Sequence, residues 1–202
     1  VQQGDRAAVN LSGVDKEKIF RGSELALPGK LKSIDKFTAH IQLASEIKKN
    51  LKHRQRVRVH LGTMEVLGRI YLAGQKKLPA GSKANVILNL EKFVVAASGD
   101  RLVLRTYSPM TTIGGGMVLT TFISKGAKVG SWVSTLDVDP VQRFGQLVDS
   151  FGTQPHTISE WALLNQCTEE KVHGWITKLD LQTTEKDIVI SNKILNESKK
   201  IV

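Results

Sequence analysis

The sequence predicts mostly β-barrel structure followed by a smaller α+β module of helices and a terminal hairpin. Three observations carry this. Short runs of alternating apolar and polar residues recur up to about residue 135, the period of half-buried strands. Glycine- and proline-containing stretches separate them, as small barrels require. After Asp137 the apolar period lengthens to that of helices.

Taken in order, the strand candidates are "RAAVNLSG", "FTAHIQLA", "RVRVHLG", "VLGRIYLAG", "KANVILNLE", "RLVLRTYS" and "GGGMVLTTF". The punctuating turns are "LPAGSKA", "ASGD" and "TTIGGG", where glycine supplies dihedrals other residues avoid. "LPGKLKSIDKF" reads as a linker between two barrels, with Pro28 and Gly29 stopping the preceding strand. Asp139 before Pro140 is a helix N-cap followed by proline at the first helical position. The helix it opens places Val141, Phe144, Leu147, Val148 and Phe151 on one face. A second helix is expected from Thr157, with Ile158, Trp161 and Leu164 inward, and a third from near Thr168, with Val172, Trp175, Ile176 and Leu179 inward. "LQTTEKDIVIS" then gives two short strands around a polar tip, completing the order of a winged-helix module. "NKILNESKKIV" reads as the start of another helix. The expected divisions are 1–31, strands of a first barrel; 32–136, a second barrel; 137–191, the winged helix; and 192–202, the following helix or module.

At 202 residues and 41% apolar, the chain can bury cores for two domains. No run of eighteen apolar residues offers a membrane span. The start, "VQQGDRAAVN", has neither Met nor the basic and apolar regions of a signal peptide, so a piece of a longer protein is expected; the single cysteine suggests a reducing, cytoplasmic setting, and a monomer is expected. Cys167, the single cysteine, excludes an internal disulfide and a multi-cysteine zinc site. The net charge of +10 is unevenly placed. Residues 140–202 hold seven Lys or Arg against eight Asp or Glu, a net of −1, whereas residues 1–139 hold twenty-two against eleven. The basic excess points to a polyanionic partner for the first two thirds.

That excess is densest in residues 48–58, where six of eleven are Lys or Arg. Read as one strand, Lys52, Arg54, Arg56, Arg58 and His60 share a face, while the opposite face becomes apolar from Val57 onward. Side chains two apart on a strand lie about 6.5–7 Å apart, close to the spacing of backbone phosphates. An edge strand charged against aggregation reads the same way, and the alternation alone does not separate the two. Catalytic patterns are missing. "GAKVGS" lacks the spacing and lysine of a phosphate loop, and no strained G-x-S-x-G turn presents a serine. The five histidines lie scattered, without metal spacing, and Trp161 and Trp175 fall at core positions. Cys167 precedes a helix start, which can lower a thiol pKa, but a structural cysteine is the plainer reading. No catalytic residue and no metal ligand is assigned.

The segments "GDRAAVNLSGVDKEKIFRGSELALPG" and "KHRQRVRVHLGTMEVLGRIYLAG", continuing to "GDRLVLRTYSPMTTIGGGMVL", resemble the second and third barrels of elongation-factor-type translational GTPases. Within them the pattern is similar to the selenocysteine-specific elongation factors of bacteria, over roughly residues 4–120. The resemblance implies delivery of selenocysteinyl-tRNA to the ribosome at recoded UGA codons, with an mRNA hairpin read by later winged helices absent from this sequence. It also implies GTP and Mg in a GTPase domain that this sequence does not contain, so no cofactor and no enzyme activity are expected of this stretch. Residues 1–31 would then be the last strands of the second barrel. Arg6, beside Asp5, would line the aminoacyl pocket, where a fixed guanidinium favours an ionised selenol over neutral serine; an Arg6–Asp5 surface pair is the alternative. Lys52, Arg54, Arg56, Arg58, His60, Arg69, Gly114, Gly115 and Gly116 would face the tRNA backbone. The winged helix would be a spacer. The rivals are a winged-helix DNA- or RNA-binding regulator with a basic barrel, against which Glu169 and Glu170 lead the would-be reading helix, and an enzyme with an unrecognised site in the barrels.

Overall fold

The computed structural model describes residues 2, 4–26, 29, 31–123, 129–151 and 156–198. The expected stop at Pro28 and the loop at 126–128 lie outside them.

Residues 4–26 contain no strand. The alternation in "RAAVNLSG" stays exposed, and the segment's regular structure is one 3-10 turn, Lys16–Lys18, capped by the Asp15 carboxylate accepting from the Glu17 amide at 3.1 Å. The strand expectation fails here for a physical reason: a strand needs a neighbour to take its backbone hydrogen bonds, and these residues find none among the described residues.

Eight strands follow: β1 (Ser33–Leu43), β2 (Leu51–Lys52), β3 (Arg56–Leu61), β4 (Met64–Leu72), β5 (Lys77–Leu78), β6 (Lys83–Val95), β7 (Arg101–Thr106) and β8 (Thr112–Thr120). Six of them close an antiparallel barrel in the order β1-β6-β4-β3-β7-β8, with β8 returning to β1, while β2 and β5 form a small separate pair. Alternate residues fill the interior: Phe37, Ile41, Val57, Val59, Ile70, Val86, Leu88, Leu104 and Val118 are wholly buried. The glycine run lies in the middle of β8. A Cβ on Gly115 would sit 2.8 Å from the Leu102 carbonyl oxygen, and one on Gly116 would sit 2.9 Å from the Ile41 Cα. Both neighbouring strands approach too closely for a side chain.

The cationic run is not one strand. It breaks after Lys52, where the Gln55 amide donates back to the Lys52 carbonyl at 3.1 Å, and Arg54 takes a left-handed backbone with φ 64°. The turn feeds β3 into the barrel, so the run is divided between two sheets.

A second core belongs to the helices: α1 (Val129–Thr135), α2 (Pro140–Ser150), α3 (Ile158–Leu164), α4 (Glu169–Lys178) and α5 (Asn192–Ser198), with a hairpin of β9 (Gln182–Thr183) and β10 (Val189–Ile190). Asp139 accepts from the Val141 and Gln142 amides, Thr157 forms a capping box with Glu160, and Thr168 accepts from the Lys171 amide. Phe144, Leu147, Val148, Phe151, Ile158, Trp161, Val172, Trp175 and Ile176 are buried together, and Val141, Leu164 and Leu179 pack against them. The Phe144 ring meets Trp161 edge-on at 5.3 Å. Two features depart from the expected pattern. Residues 129–135 are helical rather than barrel, and Arg143, on the inner side of α2, is 3% exposed. Leu119 of β8 is fully buried in the helical core, so barrel and helices share packing.

Candidate nucleic-acid interface

β3 turns Val57, Val59 and Leu61 into the barrel and Arg56, Arg58 and His60 outward. Register then decides what surrounds them. Arg56 stands beside Arg69 of β4, and Arg69 beside Asn89 of β6, which stands beside Lys36 of β1. Arg58 stands beside Arg105 of β7 and Leu67 of β4. The cations of four strands thus form a band around the outer wall. Like charges directly opposite are unfavourable, and the barrel moderates them with carboxylates and a ring. The Arg56 fork donates to both oxygens of Glu91, at 2.7 and 2.6 Å. Arg58 donates to Glu65, and His60 Nε2 lies 3.9 Å from the other Glu65 oxygen. The Tyr107 ring lies under both guanidiniums, 4.5 Å from that of Arg56 and 5.6 Å from that of Arg58. The hydrogen bond from Arg56 holds the Glu91 carboxyl below the usual carboxylate range, and the same bond raises the Arg56 guanidinium. Both groups lie at the surface, so the pair organises the fork more than it stabilises the fold. Arg105 Nε is buried with no partner among the described residues.

The residues singled out in the sequence divide into three places. Arg56, Arg58, His60 and Arg69 share the band, with Arg69 Nη1 donating to the Arg54 carbonyl at 3.3 Å. Lys52 and Arg54 flank it on β2 and its turn, both exposed. Gly114, Gly115 and Gly116 lie elsewhere, on the floor of an open groove of about 770 Å³ bordered by His40, Gln42, Lys83, Arg101 and Val138. β8 pairs with β1 and β7 on both sides of these glycines, so they give close strand packing and a smooth floor rather than free amides for a ligand. Asp5 and Arg6 are exposed on the N-terminal segment. The Asp5 carboxylate accepts from the Gln2 amide at 2.9 Å, and no Arg6–Asp5 ion pair is present among the described residues.

Sequence reading missed Lys36, Glu65, Glu91, Lys83, Arg101, Arg105 and Tyr107. The alternation in "RLVLRTY" already places Arg101 and Arg105 on one face, but which strand they adjoin is a matter of register. Outside the barrel wall, burial pushes the Cys167 thiol up, only partly offset by Lys171, which is the reverse of activation. Cys167 packs against the helical core. Among the described residues, no three His, Cys, Asp or Glu side chains are placed to hold a metal ion, and no helix is long and apolar enough to cross a membrane.

Comparison with known proteins falls on the same barrel. The family model of the selenocysteine-specific elongation factor β-barrel domain matches residues 38–125. The selenocysteine-specific elongation factor of Desulfomicrobium baculatum is 31% identical over 116 residues, which is 57% of this chain and 18% of that protein. The protein of the same name from Methanocaldococcus jannaschii is 32% identical over 124 residues, 54% of this chain and 26% of that protein. The chain therefore spans about a quarter or less of the length of these relatives. The matched stretch takes in the second half of β1, the arginines of the band from β3 to β7, and the glycine floor of β8, and over it this chain is similar to the selenocysteine-specific elongation factors.

Proposed function

We propose that the barrel wall docks on the sugar-phosphate backbone of a tRNA, as part of a cytoplasmic, monomeric factor that delivers selenocysteinyl-tRNA to the ribosome at UGA codons. The observation that carries this is the band of Arg56, Arg58, Arg69 and Arg105 on one outer face, with Arg54 and Lys52 at its rim. Glu65, Glu91 and Tyr107 hold these guanidiniums in place, and the N–H groups not bonded to the carboxylates remain to meet phosphate oxygens. Lys83 and Arg101 flank the glycine floor, where a backbone can approach without meeting side chains. Such interactions hold and orient an RNA without reading its bases.

Arg6 lies on the exposed N-terminal segment, free to serve an aminoacyl pocket built with further protein. The helical module has the element order of a winged helix and serves as a spacer: Glu169 and Glu170 lead α4, where they suit the helix dipole and repel phosphate. The GTP and Mg of the family do not fit the residues of this chain, because the glycine run is committed to two ladders and no phosphate loop occurs; that chemistry belongs to another domain.

The test is a fluorescence titration of the chain with tRNA across a salt series. Affinity should fall with a log–log slope of about 0.7–0.9 per neutralised phosphate. Reversing Arg54, Arg56 and Arg58 to Glu should weaken binding by at least about 1 kcal/mol for each arginine that bonds a phosphate. Unchanged affinity and slope would return the band to a merely solvated face.

A further inference from the structure

The junction between α1 and α2 is tied both to the barrel and to the helices. Residues 136–139 join α1 to α2, and the carbonyl oxygens at 133 and 135, at the end of α1, and at 136, 137 and 138 each accept from a side chain. Asn85 of β6 donates its amide to Val133 at 3.0 Å and to Leu136 at 2.6 Å. Gln146 of α2 donates to Thr135 at 2.8 Å and accepts from the Asp137 amide at 2.7 Å. Arg143 of α2 donates through Nη1 to Asp137 at 3.0 Å and to Val138 at 2.7 Å. Its Nη2 reaches Ser98 of the barrel at 3.3 Å, and Ser98 in turn donates to the Leu119 carbonyl at 2.9 Å. The linker is therefore held from the barrel side and from the helix side at once.

Two further observations bear on rigidity. Arg143 is almost fully buried, its guanidinium is pulled below its usual range by burial, and Asp139 and Asp137 only partly offset this. A buried charge that gives up these carbonyls would be left without partners, so opening the joint is unfavourable. Beneath the polar clamp, Leu119 of β8 is completely buried among Leu136, Phe144 and Trp161, with Met117 and Phe122 packed against the same cluster. Domains in one chain move relative to one another by default unless their interface is extensive and apolar. Here an apolar contact through Leu119, Met117 and Phe122 and a clamped α1–α2 junction coincide. The clamp also reaches the glycine-floored groove, since His40 on its border bonds Asn85 through Nδ1 at 2.8 Å.

We infer that the barrel and the helical module form one rigid body, locked at the joint by Asn85 and Arg143 as positioning residues, so that the barrel sets the direction in which α5 leaves the module. A spacer of this kind transmits orientation as well as distance. The inference stands whether or not the barrel binds RNA.

Residual dipolar couplings on the intact chain test it directly. Amides of β1, β3, β6 and β8 and those of α2, α3 and α4 should fit a single alignment tensor; two distinct tensors would overturn the inference. Electron–electron distance measurements then test the clamp, with spin labels on Lys92→Cys and Lys178→Cys in a Cys167→Ser background. Both positions are exposed. A single narrow distance distribution is expected for the parent, broadening in Asn85→Ala/Arg143→Met. A narrow distribution persisting in that variant would remove Asn85 and Arg143 from the role. Should the double variant not fold, Arg143→Met alone is read, because its stem still fills the joint.

Discussion

Replacing Gly116 by alanine tests the strand packing on which the barrel wall rests. The added Cβ would clash with the His40 carbonyl oxygen and would lie 2.9 Å from the Ile41 Cα and 3.0 Å from the His40 carbonyl carbon. All three are backbone atoms, so no side chain can rotate away, and β1 and β8 must separate where Ile41 pairs with Gly116. Overpacking a well-filled site costs about 1–3 kcal/mol, and weakening a ladder bond adds about 0.5–1.5 kcal/mol. Gly116→Ala should therefore destabilise the chain by about 2–4 kcal/mol. Gly174→Ala is the matched control: nothing lies within 4 Å of its Cβ position, and it sits within α4. There alanine should stabilise by up to about 1 kcal/mol through helix propensity. Urea unfolding followed by circular dichroism reads both as shifts of midpoint at constant slope. A Gly116→Ala stability within about 0.5 kcal/mol of the parent, the range of ordinary surface substitutions, would refute the close-approach argument and return the glycine run to ligand binding.

Three other outcomes are expected. Glu91→Gln frees the Arg56 fork and removes one negative charge from the band, so tRNA affinity should rise at low salt and the salt dependence should steepen; weaker binding would mean that the preset fork matters more than net charge. In the full-length factor, Arg6→Ala should narrow the affinity gap between selenocysteinyl- and seryl-tRNA while sparing deacylated tRNA, and equal losses for both aminoacyl forms would make Arg6 structural. Glu24 has its carboxyl raised by burial and then by Asp100. Folding therefore favours its protonated form, and the ionised form becomes a cost as pH rises through that raised value. Glu24→Gln should stabilise the chain slightly at neutral pH, with the difference vanishing below the carboxyl range; a constant difference across pH would exclude titration as the cause.

Local chemistry alone determined a good deal of this protein. The alternation in "RVRVHL", "VLGRIYL" and "NVILNLE" specifies strands with one buried face whatever they pair with, because successive side chains point to opposite sides. Asp139, Thr157 and Thr168 determine where three helices begin, since a cap needs only amides two or three residues on. The arginine band was half legible in the same way: alternation put Arg56 and Arg58 outward, and the resemblance added Arg69. That Glu91, thirty-five residues from Arg56, and Glu65 would hold those arginines is a matter of strand register. The break at Arg54 depends on the bond from the Arg54 amide to the Ile70 carbonyl on another strand. "RAAVNLSG" carries strand alternation and forms none, because pairing requires a partner that local sequence cannot supply. Arg143 shows the same division most plainly. Its position on the apolar side of α2 breaks the helical pattern, and only the folded joint, where linker carbonyls and Ser98 converge on the guanidinium, makes its burial tolerable. Strand alternation and helix capping act over a few bonds and are written locally, whereas the groups that neutralise a charge or take a backbone hydrogen bond are brought to it only by chain topology.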